Sequence, residues 1–302
     1  MTRVASLPLQ DSLARAITRV NERLADNQRQ LATGKRSDRH AGLGTDAVRV
    51  LTGRNLLERT QGHIGAARQL GNRLAVYDSY MSQLETSMMT LRERLGTGLG
   101  LQSGIGLGDE IANNFNDLAN VLNASDDGVP LFSGSRSDGP AFTPRTPADT
   151  LAISSQAAFQ TDGVRQATRI ADGVDVEHGV DGAVIGTDFL SAFRTLAQAG
   201  PFSDTLTAAQ MTTIKDAMRL LDSGLDTLRA ANAENGRALA RTDMLSQRAE
   251  RRVTMLTDMI GQSEDVNLAE VATNLASQKT MLEASYSVFA RLSGLSLTAY
   301  LR

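Results

Sequence analysis

The 302 residues carry 31 Lys/Arg against 34 Asp/Glu, and a net charge of −3 gives no overall attraction to nucleic acid. Cysteine is absent, which excludes disulfides and thiolate metal sites. Hydrophobic residues make up 41% but aromatics only 4%, with no Trp, which suits long helices with narrow Leu/Ala seams better than one large compact core.

No stretch reaches the about 18 consecutive apolar residues of a membrane span. Arg3, Asp11, Arg15 and Arg19 interrupt the start, so no apolar signal segment is expected there. The expectation is a protein that stays in the cytoplasm or leaves by a route that cleaves nothing.

In chain order, Leu13, Ile17, Val20, Leu24, Asn27 and Leu31 alternate in steps of three and four. That is a coiled-coil seam, with Asn27 as the kind of polar seam residue that fixes register. The first 60 residues hold eleven Lys/Arg and six acids. This net +5 reads as a solvated helix face, because base-reading and stacking residues are missing. "TGKRSDRHAGLGTD" (33–46) then breaks the helix with Gly34, Gly42 and Gly44.

A further seam runs through Leu74, Tyr77, Met81, Leu84, Met88, Leu91 and Leu95, and the glycines of "GTGLGLQSGIGLG" (96–108) predict its end. A shorter helix over about 108–124 shows Ile111, Phe115, Leu118 and Leu122 on one face and stops at "ASDDGVP". Composition then changes: four of the six prolines lie between 130 and 147, and six of the eight phenylalanines between 132 and 202. This is the one region with aromatic mass for a small compact core. Alternating residues flank Asp172-Gly173, a two-residue hairpin signal, within a β-rich segment over about 141–184; a short helix over 187–199 follows.

Met211, Ile214, Met218, Leu221, Leu225 and Leu228 form a seam that resumes at Leu239, within a helical run over 207–260. Such a run is about 75 Å long at about 1.5 Å per residue, a rod rather than part of a globule. The last seam is Leu268, Val271, Leu275, Gln278, Leu282, Ser285, Phe289 and Leu292, continued by Leu295, Leu297, Tyr300 and Leu301.

These elements predict a mainly α architecture of long antiparallel helical rods and a terminal coiled coil, with a small β-rich insertion. The expected division is 1–45 with 255–302 as the terminal coiled coil, 46–140 with 200–254 as the rod, and 141–199 as the outer insertion. Each terminal seam is marginal as a lone helix, and the two are natural partners. Paired, they still leave one bare apolar face, which other copies or another protein would cover. The expected inter-subunit seam is Leu13, Ile17, Val20, Leu24 and Leu31 with Leu268, Val271, Leu275, Leu282, Phe289, Leu292, Leu295 and Leu297.

Signals for chemistry are weak. His40, His63 and His178 are far apart, the glycine run does not spell GxGxxG, Gly34-Lys35 lacks the upstream glycine of a P-loop, and no nucleophile elbow occurs. Asp162, Asp172, Asp175, Glu177, His178 and Asp181 are the only titratable cluster inside 141–200, and a solvated hairpin accounts for them. No catalytic residue, metal ligand or cofactor is expected.

Four stretches carry a resemblance to a known family. "RLADNQRQLATGKRSDRHAGLGTDAVRV" (23–50) resembles the "LSTGKR" helix end of bacterial flagellins. "GVPLFSGSRSDGPAF" (128–142) is similar to the "YLFSG" stretch of the hook–filament junction branch of that family. "LRAANAENGRALARTDMLSQR" (228–248) looks like the family's return into the terminal coiled coil. "NLAEVATNLASQKTMLEASYSVFARLSGLSLTAYL" (267–301) resembles the C-terminal "LQASY" segment of the junction branch. The resemblance implies a non-enzymatic structural subunit of the flagellum that adapts hook to filament and is extracellular after export through the flagellar type III channel without a cleaved signal. It implies as partners identical subunits, a hook-associated protein on the hook side, flagellin on the filament side and a cytoplasmic chaperone at the C-terminal helix, with no nucleic acid and no membrane. A self-polymerising filament flagellin is the alternative; the missing "DDAAGLAIA" turn near 38–50 argues against it.

Overall fold

The computed structural model describes residues 3–36 and 46–298, with side chains over 11–36 and 46–291. The fold is mainly α: α1 (Arg3–Thr33), α2 (Asp46–Leu101), α3 (Leu107–Leu122), β1 (Ser125–Asp126), β2 (Val129–Pro130), α4 (Ser155–Ala158), β3 (Gln166–Ala171), β4 (Val174–His178), α5 (Gly182–Ala199), α6 (Ala208–Glu264) and α7 (Leu268–Thr298). The four strands form two separate antiparallel pairs. The chain divides into two compact units, residues 1–59 with 253–302, and residues 60–252.

The larger unit is built on the seams read from the sequence. Leu74, Tyr77, Met81, Leu84, Met88, Leu91 and Leu95 of α2 are all buried, as are Ile111, Phe115, Leu118 and Leu122 of α3 and Ile214, Leu221, Leu225 and Leu228 of α6. α2 ends inside the glycine run, as expected, but not at its first glycines. Gly96, Gly98 and Gly100 stay helical, and the chain turns only after Leu101, where Gln102 (φ 54°) and Gly106 (φ 75°) reverse it into α3. The reason is packing: a side chain at Gly98 would meet the Ser103 carbonyl at 2.9 Å and Leu107 at 3.0 Å. The glycine lets the turn fold close over the helix end.

The aromatic segment joins this core and forms none of its own. Phe115 packs edge-on against Phe193, ring centroids 5.1 Å apart, and Phe142 bridges Phe115 (5.9 Å) and Phe159 (5.3 Å). Each such ring stabilises the fold by about 1.5–3 kcal/mol through burial alone. Asn123 holds the segment in register, accepting from Phe142 N at 2.8 Å and donating to its carbonyl at 2.9 Å.

Two of the Asp-Gly pairs make hairpin turns. Asp127 (φ 50°) and Gly128 (φ 80°) join β1 to β2, and Asp172-Gly173 joins β3 to β4 with Ala171 opposite Val174. The β3–β4 hairpin presents Ile170 and Val176 to Ala67, Leu70 and Leu74 of α2. Its alternate residues Arg169 and Asp175 face solvent and pair at 2.8 Å. Between 141 and 199 the rest of the chain holds a 3-10 turn at Pro147–Leu151, α4 and α5.

The smaller unit contains α1, the first turns of α2, the end of α6, and α7. Val50 is fully buried, and Gly53 sits against Met259 and Ile260, where an added methyl group would come within 2.8 Å of the Met259 Cε.

Candidate assembly interface

The terminal helices pair with each other. Asn27 Nδ2 donates to Gln278 Oε1 at 3.0 Å, and Lys35 lies opposite Asp265 in an antiparallel bridge, so α1 and α7 run antiparallel. The half-buried positions of α1 are Leu13, Ala16, Ile17, Val20, Leu24, Asn27 and Gln30; those of α7 are Leu275, Gln278, Leu282 and Ser285, with Val271 fully buried. This is the heptad row of the sequence, with its one polar pair in register. A helix pair covers only one side of each partner, so the row stays half-buried.

Of the expected inter-subunit residues, the structure turns Leu13, Ile17, Val20, Leu24, Val271, Leu275 and Leu282 toward the chain's own partner helix. Leu31 (42% exposed), Leu268 (51%) and Phe289 (37%) lie at its margin. The side chains of Leu292, Leu295 and Leu297 lie outside the described residues, as does His40. Sequence periodicity does not single out the other large apolar groups left uncovered on α7, Met281, Tyr286 and Val288. They stand off the a/d row and become visible only once the row itself has a partner.

A polar clasp closes one end of the pair. Arg36 N donates to the Glu264 carbonyl at 2.7 Å, and Val266 N to the Gly34 carbonyl at 3.0 Å. Lys35 Nζ lies 2.5 Å from Asp265 Oδ1 and 3.5 Å from Glu264 Oε2, while Arg54 reaches Glu264 Oε1 at 2.6 Å. The Asp265 hydrogen bond, then the field of both carboxylates, holds the Lys35 ammonium above its usual range. Glu264 is buried, so its charge needs both cations. Asn267 then caps α7, accepting from Ala269 N at 3.1 Å. Nothing local in the sequence joins Lys35 or Arg54 to Glu264.

The titratable cluster around the second hairpin does local structural work. Asp162 accepts from Ser135 N and Val164 N at 3.0 Å each and from the Ser135 hydroxyl; these bonds, the hydroxyl first, hold its carboxyl down at about 2. Asp181 caps α5 through Ala183 N at 2.9 Å. His178 is buried with Nε2 at 2.9 Å from Thr168 Oγ1; burial, then the positive charges of Arg73 and Arg165, push its imidazole down to about 4. A cleft of about 250 Å³ beside it is lined by Arg165, Glu177, Glu234 and Asn235. Arg165 and Glu234 are already paired there at 2.6 Å, and Asn235 donates to the Leu74 carbonyl at 2.8 Å. Among the described residues no group of His, Asp and Glu could hold a metal ion, and no helix is long and apolar enough to cross a membrane.

No protein-family model matches the chain, and no curated protein matches it in sequence. Solved structures share the fold. A Vibrio parahaemolyticus protein described as a flagellar hook-associated protein superposes with a TM-score of 0.62 at 15% identity, covering 72% of this chain and 97% of the other. Bacillus cereus FlgL superposes with a TM-score of 0.55 at 13% identity, covering 70% of this chain and 98% of that one.

Proposed function

We propose that the chain is a structural subunit of the bacterial flagellum that joins hook to filament. The observation that carries this reading is the antiparallel pairing of the two chain ends along one half-buried heptad row, on a fold shared with FlgL, a hook-associated protein of the hook–filament junction. The motifs "LFSGSRSDGPAF" and "LEASYSVFARLSGLSLTAYL" favour the junction over the filament. On this reading the subunit is exported without a cleaved signal. Its C-terminal helix is covered by a cytoplasmic chaperone before export, and both ends complete their burial among identical subunits, with a hook-associated protein on one side and flagellin on the other. The work is mechanical and needs no catalytic residue or cofactor.

Deleting the gene and viewing cells by electron microscopy tests the reading. The expected result is hooks without filaments and flagellin monomer in the medium, restored by the intact gene. Hooks with a complete junction but no filament material would mean a filament subunit instead, and normal flagella would overturn both.

A further inference from the structure

The larger unit is electrically polar along its helices. Residues 60–76 and 230–252 contain seven arginines and three acids, net +4; residues 77–131 and 200–229 contain five Lys/Arg and twelve Asp/Glu, net −7. The segregation is spatial as well as sequential. Arg92 pairs with Asp222, Arg229 with Glu85 at 2.7 Å, and Asn235 with the Leu74 carbonyl, so α2 and α6 run antiparallel with their basic parts together. Ser87 reaches Asp117 at 2.8 Å and Tyr77 the Leu131 carbonyl at 2.6 Å, so α3 and the first hairpin lie with the acidic part.

Within the basic part, Arg237, Arg241, Arg248, Arg251 and Arg252 fall in one sector of about 100° along about 22 Å of α6. All five are exposed, and among the described residues none has a carboxylate partner. Of the local acids, Asp243 and Glu250 stand on another flank, where Glu250 pairs with Arg68 at 3.0 Å, and Glu234, at the end of the stripe next to Arg237, is paired with Arg165 at 2.6 Å. The acidic half of the same helix is built differently, with Asp216 beside Arg219 at 2.5 Å and Asp222 against Arg92. Exposed like charges on one face repel one another unless a counter-charge meets them, and the arginine fork suits carboxylates. At the acidic part Asp109, Asp126, Asp127 and Asp204 have no ion-pair partner among the described residues.

We infer that the arginine stripe of α6 docks on the acidic part of a second copy of this chain, displaced along the helix direction. The two surfaces differ on each molecule, so the contact repeats from copy to copy and does not close a dimer. Polyanions are the poorer fit: the stripe has no aromatic residue for bases to stack on, and the rest of the unit is strongly negative. The inference rests on the assembly role proposed above and specifies the contact within it.

Sedimentation of the purified full chain tests it. The wild type should self-associate at about 20 mM salt and do so at least about tenfold more weakly at about 500 mM, where screening is short-ranged. A variant with Arg237→Glu, Arg241→Glu and Arg248→Glu, and another with Asp109→Lys, Asp126→Lys and Asp127→Lys, should each fail to associate alone. Their equimolar mixture should regain association, with melting curves showing both folded. A wild type that stays monomeric at low salt, a stripe variant that associates normally, or a mixture that stays apart overturns the inference. Association that depends on the stripe in cells whose flagella do not need the gene would defeat the functional proposal and leave this contact standing.

Discussion

Asn27 and Gln278 are a polar pair inside an apolar row, and their 3.0 Å hydrogen bond fixes which residues of α1 face which of α7. Replacing both with Leu removes the bond and adds apolar burial, so the pair should melt higher while its register becomes less certain. Cross-links between cysteines placed at neighbouring positions should then form in more than the native register; a single register would contradict this. Asn27 was legible in the sequence because it is polar on an apolar period. His178 was not, because its burial depends on where a hairpin lands. Its folded imidazole titrates at about 4 against 6.5 when exposed, so the folded state binds the proton less well. Its effect on stability is absent above the unfolded value and grows as pH falls from 6.5 toward 4, where it reaches about 1–3 kcal/mol of destabilisation. His178→Gln should flatten denaturant midpoints across that window; an unchanged slope would show that the histidine does not carry it.

At the scale of elements, periodicity found the long helices, while the glycines placed the end of α2 only to within a run of thirteen residues. A glycine ends a helix only where the chain must turn, and the sequence does not say which glycines face packed neighbours. Gly65 of α2 has open space around its missing side chain, so Gly65→Ala should stabilise by about 0.5–1 kcal/mol. Gly224 of α6 lies under the Phe189 ring, where a new Cβ would come within 2.6 Å, so Gly224→Ala should cost about 1–3 kcal/mol. Thermal melts of the two variants should move in opposite directions, and shifts of the same sign would refute the packing at Phe189. The clasp is the other element that sequence could not show, since its ion pairs join residues more than two hundred positions apart. Lys35→Ala with Arg54→Ala leaves Glu264 buried without a cation and should cost about 3–5 kcal/mol. Adding Glu264→Gln should recover part of that loss. Hydrogen exchange across α1 and α7 reads both effects, and no recovery would mean the charge of Glu264 is not what the two cations serve.

At the scale of the whole molecule, the account rests on two ends that pair along a half-buried row and need further copies to complete their burial. The mainly α architecture and the hairpin at Asp172-Gly173 were legible because both periods, 3.6 and 2, recur with clear breaks. The packing of the aromatic segment was not, because its phenylalanines share no period and join the helical core through tertiary contacts. The most direct measurement is filament attachment in cells whose only copy carries Leu24→Asp and Leu282→Asp, two charges in the seam between α1 and α7. The account predicts that residues 60–252 of the purified variant keep their thermal unfolding while the cells bear hooks without filaments. Normal filaments on those cells, with the seam disrupted, would contradict it.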